Sequence, residues 1–295
     1  MKKATVIVNP VAGKMKIHTN LFSLLRSLGK QNYETTVYIT KSKNDATDAA
    51  KRYAEVSDLI VCCGGDGTLN EVISGLLNSG SKPRLLYYPC GSTNDFAATL
   101  GLPKRIDAVT LRVDDRAELD LDIGVLNGVR HFTYIASFGI FTRASFAADQ
   151  KTKNILGHLA YVFEGAKELP DLNKSYYTKI TYDGGVLEGR FAFVAVTNTT
   201  SIGGAVKLPS DRVKLNDGYL EIVLVKAMPT AVETTTVLNL LLQQKFDDKN
   251  IYLLHTKAAT IECPDAPVWC VDGEYGGEIA KAKVNCLPGA IRILR

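Results

Sequence analysis

The chain lacks any run approaching the ~20 consecutive apolar residues that a membrane-spanning helix requires. Met1-Lys2-Lys3 leads directly into a strand pattern without the apolar stretch of a signal peptide, so a cytoplasmic protein is expected. Cysteine is sparse: the six thiols, at 62, 63, 90, 263, 270 and 286, show neither paired C-x-x-C spacing nor the density of a disulfide scaffold, and read as buried and reduced. The histidines His18, His131, His158 and His255 lie in unrelated contexts, near no suggestive nucleophile. A Ser-His-Asp triad or a zinc site therefore has no support. A large excess of one charge is missing too, since 35 Lys and Arg against 31 Asp and Glu leave a net charge of +4. That permits weak attraction to an anionic membrane surface, but it is far from the concentrated basic stripe of a nucleic-acid binder. No internal repeat or low-complexity tract is present.

What is there is globular and long enough for two cores: 295 residues, 46% hydrophobic and 22% charged. Up to about residue 101 short apolar runs, at 5–9, 35–39, 59–63 and 85–88, alternate with helix-period segments such as Ile17, Leu21, Leu24, Leu25 and Leu28. This alternation predicts a parallel sheet with helices on its faces, which binds ligands beyond the carboxyl ends of its strands. After Asp120 the pattern changes to strands with hairpin signals, Asn127-Gly128 and Asp183-Gly184-Gly185, and predicts a second, β-rich domain. Two helical stretches interrupt it, at 154–169 and 230–244, and core packing accounts for both better than a lipid-facing role.

The segment 59–71, Leu-Ile-Val-Cys-Cys-Gly-Gly-Asp-Gly-Thr-Leu-Asn-Glu, is the most informative. A buried strand runs into a glycine turn that opens a helix. Without Cβ atoms on Gly64, Gly65 and Gly67 the backbone can approach a ligand closely, and the free N–H groups of the next helix attract an anion. Thr68 with Glu71 three residues on matches a capping box, which would start the helix there. Asp66 stands where phosphate charge should sit, and like charges need a cation between them, so a nucleotide with Mg²⁺ is the ligand indicated.

Further turns fall at strand ends. Asn9-Pro10-Val11-Ala12-Gly13-Lys14 follows the first strand, and Tyr88-Pro89-Cys90-Gly91-Ser92-Thr93-Asn94-Asp95-Phe96 links another strand to a helix that Ser92 or Asp95 could simply cap. Glu118, Asp120 and Asp122 alternate along one strand face. Asn216-Asp217-Gly218 is either a turn or an oxygen cage for a hard cation. Val271-Asp272-Gly273-Glu274 is either a hairpin turn or a general base with its partner.

Taken together and in this order, N-P-V-A-G-K, G-G-D-G-T-L-N-E, P-C-G-S-T-N-D-F, N-D-G-Y and V-D-G-E-Y-G-G resemble the diacylglycerol-kinase catalytic family, which includes bacterial soluble lipid kinases and has sphingosine and ceramide kinases as relatives. The resemblance runs over nearly the whole chain. It implies an α/β nucleotide-binding domain at 1–122, to which 288–295 return, a β-sandwich lipid-substrate domain at 123–287, and an active site in the cleft between them. It also implies ATP contacts at Asn9, Pro10, Val11, Ala12 and Gly13, at Gly65, Asp66, Gly67, Thr68, Leu69, Asn70 and Glu71, and at Thr40 and Ser92. A network of carboxylates, water and Mg²⁺ near the nucleotide falls on Asp66, Asp95 and Asp122. A structural Mg²⁺ falls on the Asp217 carboxylate with the carbonyls of Lys214 and Tyr219. The base falls on Glu274, with Asp272 beside it. Ala97-Ala98 stand where members often carry Arg, and Arg143 stands near an acidic position of the family.

The expected activity is transfer of the ATP γ-phosphoryl group to a lipid hydroxyl at the inner membrane face, with diacylglycerol as acceptor. The protein would be a peripheral visitor there and would bind no nucleic acid; pairing as a homodimer is left open. The alternatives are a kinase for a soluble acceptor such as NAD and a catalytically silent, nucleotide-binding membrane regulator.

Overall fold

A computed structural model describes residues 1–13, 17–91, 94–102, 111–140, 142, 174–202, 206–209 and 211–295. Lys14, Ser92, Thr93, Arg143, His158 and the helical stretch expected at 154–169 lie outside the described residues. The chain divides into two compact units, Met1–Leu121 with Gly289–Arg295, and Asp122–Pro288.

The first unit alternates β1 (Lys2–Val8), α1 (Ile17–Lys30), β2 (Tyr33–Ile39), α2 (Asp45–Tyr53), β3 (Leu59–Gly64), α3 (Asp66–Ser79), β4 (Arg84–Pro89) and the short α4 (Asp95–Thr99). Its strands are parallel in the order β4-β3-β1-β2. The last residues of β17 (Lys281–Leu294) pair parallel with β4, Ile293 opposite Leu85. Every residue of β3 is buried, as a parallel strand covered on both faces requires, which is why its sequence is uniformly apolar rather than alternating. Leu24 and Leu28 of α1, one turn apart, pack with Val6, Val8, Val61 and Leu86 on one side of the sheet. β1 begins earlier than the apolar run suggests, because Lys2 and Lys3 still pair with Tyr33 and Glu34 while their side chains reach solvent.

The start of α3 corrects the sequence reading. The helix begins at Asp66 behind Gly65, and no side chain caps it. Thr68 Oγ1 instead accepts from Asn9 Nδ2 at 2.9 Å, and the Glu71 carboxylate accepts from the Ala46 N–H at 3.3 Å. Both members of the expected capping box are thus drawn to other elements. A complete box does form at Thr230 and Glu233, at the start of α5 (Ala231–Leu242) in the second unit.

The second unit is antiparallel. Its long strand β9 (Gly185–Thr197) pairs first with β8 (Tyr176–Tyr182), then with β7 (Ile135–Gly139) on one side and β12 (Leu220–Lys226) on the other. β13 (Ile251–Thr256) extends from β12, β14 (Ala258–Glu262) joins β8 to β17, and β15 (Val268–Val271) joins β7 to β16 (Glu274–Glu278). Two short strands, β10 (Ser201–Ile202) and β11 (Val206–Lys207), pair with each other. Alternation along β9 and β12 feeds two cores. Val194, Val196, Leu220, Ile222 and Leu224 pack with Phe138, Ile180, Ile261 and Trp269. Ala195, Val223 and Val225 face Ile135, Val213, Leu253 and Leu241 of α5. Two-residue turns with positive φ join the hairpins at Asn127-Gly128, between β5 (Glu118–Leu126) and β6 (Arg130–Phe132), and at Asp272-Gly273, between β15 and β16.

Candidate functional site

In the first unit three loops meet at the carboxyl ends of β1, β3 and β4. Asn9 ties the first to the second: its N–H donates to the Cys63 carbonyl (2.9 Å), its Nδ2 to Thr68, and its Oδ1 accepts from the Val11 N–H (3.1 Å). The Cys90 N–H ties the third to the Gly64 carbonyl at 2.7 Å. Glycine is required where these loops touch. A Cβ on Gly13, at φ +47°, would lie 1.8 Å from the Cys90 carbonyl oxygen, and one on Gly91 would lie 2.7 Å from the Gly65 Cα. A Cβ on Gly67 would meet nothing within 4 Å, so the opening of α3 stays accessible. Thr40, at the end of β2, donates its N–H to the Val8 carbonyl beside the same edge. Pro10, Ala12 and Gly13 are half-buried and Val11 is exposed. The Leu69 side chain is fully buried, so only its backbone could reach a ligand. Asn70, half-buried, is the next residue along α3. Backbone N–H groups at a helix N-terminus without side-chain bulk fit a phosphate-bearing ligand.

The acids of this unit have structural partners. Asp66 accepts the N–H groups of Asp95 (3.0 Å) and Phe96 (3.2 Å) and the Tyr87 hydroxyl (3.4 Å), so it caps the start of α4. Glu71 similarly serves the first turn of α2. Both placements are favourable because a helix N-terminus carries partial positive charge. The sequence reading held that Asp66 required a cation to explain it; helix α4 explains it already. Asp95 is not the cap either, since Asn94 holds that position and the Asp95 carboxyl is pushed up by burial.

In the second unit Asp272 and Glu274, two residues apart, have different surroundings. The Asp272 carboxylate accepts from the N–H groups of Thr133 (2.8 Å), Tyr134 (3.0 Å) and Ile135 (2.8 Å) and from the Thr133 hydroxyl (3.0 Å). Burial raises its pKa and these donors work against that rise. The hairpin reading of Asp-Gly therefore holds, and Asp272 pins the turn to the start of β7. Glu274, the first residue of β16, is exposed. The adjacent Tyr275 carbonyl accepts from Arg130 Nη1 at 2.7 Å.

Asp122 and Asp217 meet around one loop. Asp122 is 1% exposed; its N–H donates to the Leu215 carbonyl (2.9 Å) and its carboxylate accepts from the Gly218 N–H (2.6 Å). Asp217 Oδ1 accepts from the Tyr219 N–H (3.1 Å), and Oδ2 lies 3.5 Å from His255 Nε2. Lys214 is exposed between the buried Val213 and Leu215, which anchor the loop. Glu118 and Asp120, from the same alternation as Asp122, are instead exposed and lie near Arg292, at 3.7 and 3.9 Å.

Comparison with known proteins agrees with this architecture. Residues 3–126 match the family model described as diacylglycerol kinase catalytic domain, and residues 134–295 match the YegS C-terminal NAD kinase beta sandwich-like domain. A Bacillus subtilis (strain 168) protein named diacylglycerol kinase is 34% identical over 288 residues, 97% of this chain and 94% of that protein. The chain belongs to the diacylglycerol kinase catalytic family. A Staphylococcus aureus (strain bovine RF122 / ET3-1) diacylglycerol kinase is likewise 34% identical, over 96% of this chain and 90% of its own length. A solved Bacillus anthracis diacylglycerol kinase superposes with a TM-score of 0.77 at 26% identity, covering 99% of this chain and 96% of that one. Kinase chemistry and the two-domain fold follow from that membership.

Against this family background two residues stand out that the sequence reading passed over. His255 approaches Asp217, and its ring meets Tyr219 edge-on with centroids 4.3 Å apart. Glu221 is 1% exposed on β12, and neither carboxylate oxygen meets a donor outside its own residue among the described residues. Burial foremost, then the charges of Asp217 and Asp122, push its pKa up to about 8. The same three carboxylates act after burial on Cys286, whose thiol is pushed up to about 12. A charged residue inside the otherwise apolar run Leu220-Glu221-Ile222-Val223-Leu224-Val225 was the available signal. Orphaned acceptor oxygens beside a carboxylate-bearing turn fit a hard divalent cation, although among the described residues no three His, Cys, Asp or Glu side chains close on one point as ligands.

Proposed function

We propose that this chain transfers the γ-phosphoryl group of ATP to a lipid hydroxyl, converting diacylglycerol to phosphatidic acid. The observation that carries the reading is the glycine-lined meeting of three loops at the carboxyl ends of β1, β3 and β4, on a chain of the diacylglycerol kinase catalytic family. Phosphoryl transfer asks a protein mainly for positioning and charge neutralisation. Backbone N–H groups opening α3 bind and orient the phosphates, and Gly13, Gly65 and Gly91 let the three loops that frame them pack backbone to backbone. Glu274 accepts the proton of the lipid hydroxyl as its oxygen bonds to the γ-phosphorus and the bond to the departing ADP breaks. Asp66 and Asp95 would hold Mg²⁺ that supplies positive charge to the phosphates, and Asp217 with the Lys214 and Tyr219 carbonyls would hold a second ion that braces the fold. No described helix is long and apolar enough to cross a membrane, and the substrate is reached as a peripheral visitor to the bilayer surface.

The test is purified protein with radiolabelled ATP against a panel of lipid alcohols in mixed micelles, with NAD as the soluble acceptor. Diacylglycerol should be labelled, and Glu274→Gln should lower kcat by about 10² to 10⁴ with ATP binding retained. Labelled NAD without labelled lipid would move the chain to soluble acceptors. ATP binding without any turnover would make it a silent regulator.

A further inference from the structure

We infer that Glu221 is a working part of the cation site at the Asp217 loop, its buried carboxylate facing the ion from the sheet side. The inference rests on the proposed binding of an ion by Asp217, Lys214 and Tyr219, and deepens it.

Register places Glu221. On β12 it lies opposite Thr197 of β9 and His255 of β13, and Thr197 in turn lies opposite Ile135 of β7. Residues paired across antiparallel strands share a face. Here it is the face of Val223 and Val225, over which the loop anchored by Val213 passes. His255 on this row reaches Asp217 with its Nε2, so the Asp217 turn sits at the same end of the face as Glu221. Neither neighbour in the row serves Glu221: the Thr197 hydroxyl donates to the Tyr134 carbonyl at 2.5 Å, and the His255 contact is to Asp217. The charges that bear on Glu221, from Asp217 and Asp122, are both negative. A buried carboxylate with like charges beside it and no donor outside its own residue is costly unless something positive or protic completes its surroundings. A hydrated divalent cation is both. Because no three acidic side chains among the described residues close on one point, Glu221 acts at one remove, accepting hydrogen bonds from water on the ion rather than ligating it.

Thermal unfolding of the full chain, in EDTA and across a MgCl₂ titration, tests this without reference to activity. The wild-type melting temperature should rise with Mg²⁺, and the part of that rise lost in Asp217→Asn belongs to this site. Glu221→Gln should melt no lower than wild type in EDTA, since it removes a buried carboxyl that has no partner outside its own residue, yet should need at least about tenfold more Mg²⁺ for that part of the rise. If Glu221→Gln responds to Mg²⁺ as wild type does while Asp217→Asn does not, Glu221 has no part in the site and only this inference falls. If wild type is indifferent to Mg²⁺, or Asp217→Asn keeps the full response, the ion reading itself is wrong. Glu221→Met, of similar shape, guards against a poorly tolerated amide. Should both variants melt well below wild type in EDTA, the carboxyl is satisfied within the protein and the inference is overturned.

Discussion

Asp272 shows how little residue type says about role until partners are known. A carboxylate engaged by four donors has its lone pairs committed and is a poor acceptor for a substrate proton, whereas Glu274 two positions on is exposed. Exchange of the two side chains for amides should therefore separate stability from catalysis. In Asp272→Asn an NH₂ group faces N–H donors, leaving at least one buried donor unsatisfied at a cost of about 1–3 kcal/mol. At roughly 2–4 °C per kcal/mol for domains of this size, scanning calorimetry should record a clear drop in melting temperature. Glu274→Gln should melt as wild type does and lose turnover. An Asp272→Asn protein with unchanged melting temperature and abolished kcat would make Asp272 the proton acceptor.

At the scale of elements, carboxylates fix where several helices and strands begin. Asp66 and Glu71 of α3 serve the N-termini of α4 and α2. Asp247 does the same for β13, accepting from the N–H groups of Lys249 (3.2 Å), Asn250 (2.8 Å) and Ile251 (3.0 Å) and from Asn250 Nδ2 (2.6 Å). Burial alone would raise its pKa, but these donors outweigh it and bring the group from 3.8 to about 2. A carboxyl held below its unfolded value contributes stability that is complete above that value and is lost as pH falls through the folded one. The difference in melting temperature between wild type and Asp247→Asn should accordingly be positive near neutral pH. It should shrink as pH drops below 3.8 toward about 2. A difference that stays constant over that window would show that the turn is held by something other than the charged carboxylate. The same strand, β13, carries His255 toward Asp217.

For the molecule as a whole, a net charge of +4 and the lack of a spanning helix among the described residues bear on how a lipid kinase meets its substrate. Each Lys or Arg near an anionic bilayer contributes about 1 kcal/mol, and the attraction decays over a Debye length of about 8 Å at physiological salt. Sedimentation with vesicles should show more bound protein when phosphatidylglycerol is present than with phosphatidylcholine alone, and added salt should release it. Equal binding to both, unmoved by salt, would leave apolar contact as the whole of the attraction.

By itself the sequence determined the conformations that depend on neighbours along the chain. The strand and helix alternation of the first unit, the glycine turn after β3 and the Asn127-Gly128 hairpin are all written in local periodicity and turn chemistry. The sequence also contained the full order of family motifs. Only the tertiary structure decided which group meets which. Thr68 and Glu71 look like a capping box in sequence, but Asn9 and Ala46, brought close by the sheet, take them instead. Glu221 and His255 share a row only because β12 and β13 pair in that register. A hydrogen bond's partner is chosen by proximity in space, and strand register, which joins residues far apart in sequence, leaves no local periodicity from which that proximity could be read.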